Sequence, residues 1–266
     1  MNPRRAQRYA SGAWLHCTHP RPDAPTILLA FPHAGGSASF FRTWGAQLPE
    51  TTELVAVQYP GRLDRLREPC IDDVHGLAAG VIAALRAAAR PEPGRRVALL
   101  GHSMGALVAF ETALRLEGLG VRPVATFLSS HPAPGLPRRN SLTEFSDDAL
   151  VGELRRLGAT PASLIDEPAV RDVVLAGLRS DYRAVARYRR SPGRLTTPVV
   201  GLVGDDDPDV EPDEMRPWCE VTVGPMTLHV FPGDHFYLIE QRDAVLKVAA
   251  EHLDGDGEPT GTRARP

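Results

Sequence analysis

The sequence predicts a doubly wound α/β fold, a mostly parallel central sheet with helices on both faces. Two observations predict it. Short apolar, β-branched-rich runs alternate with longer amphipathic stretches, and the runs are apolar on both faces, as strands buried between two helical layers are. The chain of 266 residues, 42% hydrophobic and 24% charged with a net charge of -3, has the composition of a folded globular protein and the length for one sizeable core.

Taken in order, the expected strands are Thr26–Phe31, Leu54–Tyr59, Val97–Gly101, Val124–Ser129, Val199–Val203 and Thr227–Phe231. Ala13–Thr18 is expected to add an antiparallel strand at the front. Helical character lies between them, at Ser39–Leu48, Val74–Arg90, Met104–Glu117 and Phe236–Leu253. In Met104–Glu117, Leu107, Phe110 and Leu114 fall on one face at helical spacing. One interval breaks the rhythm. Between Ser129 and Val199 lie about 70 residues without a clear strand, too many for a simple crossover. Helices are expected there at Asp147–Leu157 and Ala169–Arg189, forming an inserted cap over the C-terminal edge of the sheet. The expected organisation is therefore a core of residues 1–130 and 198–253, a helical lid at 131–197, and a tail at 254–266 whose Gly, Pro and charge predict disorder.

Composition also excludes. The weak negative charge argues against a nucleic-acid-binding protein, and no stretch approaches the roughly 18 apolar residues of a membrane span. No apolar run of signal-peptide length follows the polar start Met1–Arg8. Cys17, Cys70 and Cys219 are widely spaced, form no CxxC pair and cannot all pair, which predicts reduced, inert thiols in a cytoplasmic setting.

The chemistry centres on Gly101-His102-Ser103-Met104-Gly105, a G-x-S-x-G sequence that follows a buried strand and opens a helix. That strand–turn–helix context is the nucleophile elbow of the α/β-hydrolase fold. A serine on so sharp a turn needs tiny neighbours two positions either side, and glycine supplies them. The hydroxyl is then raised beside the first free N–H groups of the helix, where negative charge is favoured. In this fold the acid and the histidine follow the serine in chain order. Of the downstream histidines, His229 lies within a strand and His252 ends a helix, whereas His235 sits in the loop after the last strand. The acid is expected in Gly204-Asp205-Asp206-Asp207-Pro208, with Asp207 favoured because the following proline restrains it, and Asp205 second. Met104 N–H is one expected oxyanion donor, and the other belongs to the loop Phe31-Pro32-His33-Ala34-Gly35-Gly36. His33 and His102 flank the site and read as packing or hydrogen-bonding residues. The apparatus calls for no metal and no organic cofactor.

Together these motifs, with Gln58-Tyr59-Pro60-Gly61-Arg62 and Gly233-Asp234-His235-Phe236, resemble the type II thioesterases, the discrete editing enzymes of polyketide and nonribosomal peptide assembly lines. The resemblance runs in order from about residue 12 to 253. It implies Ser103, Asp207 and His235 as a catalytic triad, the amides of Ala34 and Met104 as the oxyanion hole, and a mobile lid near 131–197. It implies an enzyme that hydrolyses acyl thioesters on the phosphopantetheine arm of acyl or peptidyl carrier proteins, clearing stalled or wrongly loaded units. Ser129-Ser130-His131-Pro132-Ala133-Pro134 departs from the Ser-Gly-Arg-like turn of the family, so its acyl-pocket details do not transfer. The competing readings are a small-ester hydrolase or lipase, an acyltransferase, and a non-catalytic scaffold, the last disfavoured because all three triad residues are present. A carrier protein must also dock. Residues 131–197 hold eleven arginines and eight acids in a chain that is -3 overall. Arg187, Arg189 and Arg190, together with Arg62, Arg65 and Arg67, are candidates to steer an acidic partner.

Overall fold

The computed structural model describes residues 14–88, 90–136, 144–157 and 167–254. The tail expected to be disordered lies, apart from Asp254, outside the described residues. Among the described residues seven strands form one sheet: β1 (Leu15–His16), β2 (Thr26–Phe31), β3 (Thr52–Val57), β4 (Arg96–His102), β5 (Thr126–Ser129), β6 (Val199–Gly204) and β7 (Met226–Phe231). Their order is β1-β3-β2-β4-β5-β6-β7. Only β1 is antiparallel, pairing Leu15 with Val57. All other neighbours run parallel.

The strand order decides where chemistry belongs. From β2 the chain moves one way to β3, then returns past β2 to β4 and continues the other way to β7. The loops after β2 and β4 therefore leave the sheet in opposite directions, opening the crevice in which such folds bind ligands. Phe31 pairs with Gly101, so the two strands end level at that crevice.

Every residue of β2, β3, β5 and β6 is buried, because both faces are covered. On one face lie α1 (Val74–Ala87) and α2 (Met104–Gly118), whose Leu77, Val81, Leu107 and Phe110 pack with Ile27, Leu29 and Leu99. Asp73 caps α1 by accepting from the N–H groups of His75 and Gly76. On the other face, Phe41, Trp44, Leu238, Val245 and Leu246 pack with Leu28, Leu100, Phe127 and Leu202.

Between β5 and β6 the described residues hold α3 (Asp147–Leu157) and α4 (Pro168–Arg187). The pair has a small core of its own, in which Leu150, Leu154, Leu175, Leu178 and Tyr182 meet. After β6 comes the short α5 (Pro212–Met215). After β7 come α6 (Tyr237–Glu240) and α7 (Arg242–Asp254). No described helix is long and apolar enough to cross a membrane.

Two expected helices differ in the structure. Ser39–Leu48 forms two 3-10 turns, Ala38–Phe41 and Trp44–Ala46, instead of one α-helix. Phe41 ends the first turn and Trp44 begins the second, and their rings meet in edge-to-face contact 5.1 Å apart. Phe236–Leu253 is divided at Gln241 into α6 and α7, which lets Tyr237 and Leu238 pack beneath the sheet edge. The strand expected at Leu54–Tyr59 ends at Val57, since Gln58 turns its side chain to accept from Ala38 N–H.

Candidate active site

Ser103 sits alone between β4 and α2, with φ 53° and ψ -122°. A non-glycine residue in that region is strained, at about 1–3 kcal/mol, and holds only where its surroundings over-determine it. Those surroundings are backbone. A Cβ on Gly101 would lie 2.1 Å from the Gly105 carbonyl oxygen, and one on Gly105 would lie 2.2 Å from that of Phe31. Helix α2 thus rests directly on β4 and on the end of β2. The Ser103 N–H donates to Ser129 O at 2.8 Å, which ties the bend to β5. As N-cap, Ser103 makes no side-chain bond to its own helix, so its hydroxyl is uncommitted there.

His235 follows β7 and Asp207 follows β6. The imidazole Nδ1–H donates to the Asp207 carboxylate, with both oxygens at 3.0 Å. Both residues are buried. Asp207 Oδ1 also accepts from the N–H of Asp209 at 2.9 Å, which fixes the carboxylate's orientation. With Nδ1 protonated toward a carboxylate, Nε2 is left as the proton acceptor. Asp205 does different work, accepting from Gly233 N–H at 2.9 Å and so joining the loops after β6 and β7. Among the described residues no hydrogen bond joins Ser103 Oγ to His235 Nε2. The ring of His102, beside the serine, lies 5.1 Å from that of His235.

The loop after β2 faces the bend, since Gly105 abuts both Phe31 O and Pro32 O. Gly36 N–H closes a turn on His33 O, and Gly35 takes φ +75°. Gly35 N–H donates to Asp181. Among the described residues the N–H groups of Ala34 and Met104 have no hydrogen-bond acceptor.

His33 is enclosed by Phe40, Phe236 and His102. Burial, helped by the charges of His235 and Arg62, pulls its pKa down to about 3. Burial likewise holds His102 well below the usual histidine range. His102 Nδ1 bonds Ser129 Oγ, which in turn bonds the Tyr237 hydroxyl. Both flanking rings are therefore neutral fixtures at neutral pH. No group of three or more His, Cys, Asp or Glu among the described residues is placed to hold a metal ion.

A thioesterase domain matches residues 26–253, a span that holds the bend, the paired histidine and aspartate, and the loop after β2. The chain belongs to the thioesterase family. It is 40% identical over 248 residues to Thioesterase PikA5 of Streptomyces venezuelae, across 91% of this chain and 86% of that one. Among solved structures, the type II thioesterase BorB from the borrelidin biosynthetic cluster superposes with a TM-score of 0.82 at 43% identity, over 91% of this chain and 98% of that one. YbtT, a type II thioesterase from the yersiniabactin pathway, superposes with a TM-score of 0.83 at 30% identity, over 91% and 98%. The fold is that of the α/β-hydrolases, as the bend and strand order indicate.

The thioesterase has a cavity of about 700 Å³ between α2, the loop after β5 and the C-terminal half of α4. Leu107, His131, Ala133, Phe145, Tyr182 and Tyr188 line it, and Arg189 and Arg190 also border it. Leu107 is one turn beyond Ser103 on α2 and His131 follows β5, so the cavity starts beside the bend. Ser103 and His235 are not themselves in its lining.

The arginine expectation needs correction. Arg62 and Arg65 are buried and cannot steer a partner in solution. Arg62 pairs with Asp181, and Arg65 donates to Gln58 O, bonds Glu68 and lies 4.3 Å over the Trp14 ring. Arg187 is exposed and pairs with Asp72 at 2.6 Å. Arg189 and Arg190 are exposed and donate to the carbonyls of Tyr188 and Gly193. Asp181 was not foreseen at all. Its signal was an acid three residues after Leu178 on the apolar side of a helix, where an unpaired carboxylate is untenable.

Proposed function

We propose that this thioesterase hydrolyses acyl thioesters from the phosphopantetheine arm of carrier proteins, removing aberrant or stalled acyl groups from a polyketide or nonribosomal peptide synthase. The observation that carries the reading is the buried Asp207–His235 pair, whose free Nε2 belongs to the same sheet edge as the strained serine. The names of PikA5, BorB and YbtT support the choice of substrate.

In this reading Ser103 is the nucleophile, His235 the base and Asp207 the residue that holds the imidazole's tautomer and stabilises its charged form. The Ser103 hydroxyl closes on His235 Nε2 when substrate arrives, since catalytic hydrogen bonds are often completed only in the substrate complex. His235 Nε2 takes the hydroxyl proton while Oγ bonds to the thioester carbon. The carbonyl oxygen gains charge and is met by the N–H groups of Ala34 and Met104, each worth about 3–4 kcal/mol. The C–S bond then breaks, and the sulfur leaves with the proton held by His235. A thiol of pKa about 8.5 is a good leaving group and needs little help from that acid. Water next gives a proton to His235 and attacks the acyl-serine, Oγ departs and recovers a proton, and the carboxylic acid is released.

The cavity is of the size that ligand sites have, about 300–1,000 Å³, and is assigned to the acyl chain. Segment 131–197 is assigned as the lid over it, closing a core of residues 1–130 and 198–253. Three free cysteines suit a reducing compartment, and the enzyme is placed in the cytoplasm.

The test is hydrolysis of acyl-carrier thioesters of graded chain length beside the matching oxygen esters. The reading expects release of free acid from the carrier thioesters, with a preference over oxygen esters of the same acyl group. A preference for the oxygen esters would instead make the protein a small-ester hydrolase.

A further inference from the structure

The loop that carries Ala34 is held by an ion pair reaching in from α4. Asp181 Oδ2 accepts from Gly35 N–H at 2.7 Å. Arg62 grips the same carboxylate with both arms, at 2.9 and 2.8 Å, and donates with Nη1 to Gly36 O at 3.0 Å. One pair thus fixes the N–H of Gly35 and the carbonyl of Gly36. The acid comes from α4 and the base from the loop after β3. Helix α4 also touches the loop directly, for a Cβ on Gly35 would lie 3.0 Å from Leu178 Cδ1.

This is an unusual place for charge. The Asp181 side chain is 0% exposed and that of Arg62 is 10% exposed. Buried pairs are weak sources of stability, since desolvation offsets the attraction, so their retention is better explained by the geometry they impose. The geometry here matters. Two successive glycines leave the loop backbone little intrinsic preference, with Gly35 in the left-handed region. An oxyanion donor is useful only if preorganised. With Gly35 N–H already occupied, Ala34 N–H is the adjacent donor left over.

We propose that Asp181, held by Arg62, is a positioning residue that aims Ala34 N–H at the developing oxyanion, so that seating of α4 assembles the oxyanion hole. The proposal rests on the acyl-serine reading above. It makes the enzyme fully active only while α4 lies against the loop. Withdrawal of that helix would remove the acceptor of Gly35 N–H and leave Arg62 buried without its partner.

The test uses the double variant Arg62→Met/Asp181→Leu, which removes both charges together and strands neither. Asp181→Asn is its companion, keeping an acceptor for Gly35 while losing the charge. The measurements are kcat and KM on an acyl-pantetheine thioester, the inhibition constant of a trifluoromethyl ketone of the same acyl group, and amide hydrogen exchange over residues 33–36. The double variant is expected to lose kcat by roughly 10²-fold, the scale of a lost oxyanion donor, with KM within about threefold. Its affinity for the ketone should fall in parallel, and exchange at the loop should quicken. The Asn variant should lose about tenfold. A folded double variant with unchanged kcat would overturn the proposal, as would a loss confined to KM. Should the double variant not fold, the Asn variant decides by the same criteria. Ser103→Ala is measured alongside. If it keeps full turnover, the acyl-serine reading fails and the clamp falls with it, whereas an inactive Ser103→Ala beside an unimpaired clamp variant rejects the clamp alone.

Discussion

Replacing Gly105 by alanine tests whether the serine bend and the loop after β2 form one rigid unit. The new Cβ would sit 2.2 Å from Phe31 O and 2.7 Å from Pro32 O. Contacts below 3.0 Å are not tolerated, and both neighbours are backbone, so no side chain can swing away. Helix α2 and the end of β2 must part by roughly 1 Å. That motion separates Met104 N–H from Ala34 N–H and carries Ser103 with the helix. A misplacement of about 1 Å costs on the order of 10²-fold in rate, and overpacking costs about 1–3 kcal/mol. For a chain of this size the melting temperature should fall by roughly 2–10 °C. The assay is kcat/KM on an acyl-pantetheine thioester with thermal unfolding measured beside it. Gly118→Ala at the other end of α2 is the control, because nothing lies within 4 Å of the added methyl. It should leave rate and stability unchanged or slightly raise stability. Gly105→Ala with wild-type rate and melting temperature would refute the reasoning.

Three further outcomes follow from the site. Asp207→Asn should fold normally and lose about 10⁴-fold in kcat, because the histidine loses its tautomer and its counter-charge; steady-state kinetics with a circular dichroism melt checks both. His33 titrates at about 3 when folded and near the ordinary 6.5 when unfolded. The unfolded chain therefore binds the extra proton, and stability falls as pH drops from 6.5 toward 3, at about 1.4 kcal/mol per unit for this group. Urea unfolding between pH 7 and 4.5 should show a shallower decline for His33→Leu, by about that amount. Reversing the exposed Arg187, which lies outside the cavity lining, to glutamate should raise KM for carrier-bound substrate at low salt and leave free acyl-pantetheine unaffected; kinetics against ionic strength decides, and an unchanged salt dependence would remove this residue from docking.

The sheet was readable because its strands are buried on both faces, so Thr26–Phe31 and Val199–Val203 stand out as apolar runs whatever lies around them. The serine bend was equally readable, since glycine at 101 and 105 answers a local steric demand. Other features depend on contacts remote in sequence. Nothing local says that Arg62 meets an acid 119 positions away, and an arginine after a Pro-Gly turn reads as exposed until that partner is placed. The division of labour between Asp205 and Asp207 arises from how two loops meet, for Asp205 reaches Gly233 and Asp207 reaches His235. The two 3-10 turns at 38–46 escaped because the break between them goes with how Phe41 and Trp44, one from each turn, pack together and against the sheet.

The most direct measurement is intact-protein mass spectrometry after rapid quenching of the enzyme with an acyl-carrier thioester. An acyl group should appear on the protein and map to Ser103, in wild type transiently and in His235→Ala only slowly. Turnover at the normal rate by Ser103→Ala, or an acyl group mapped to another residue, would contradict the account.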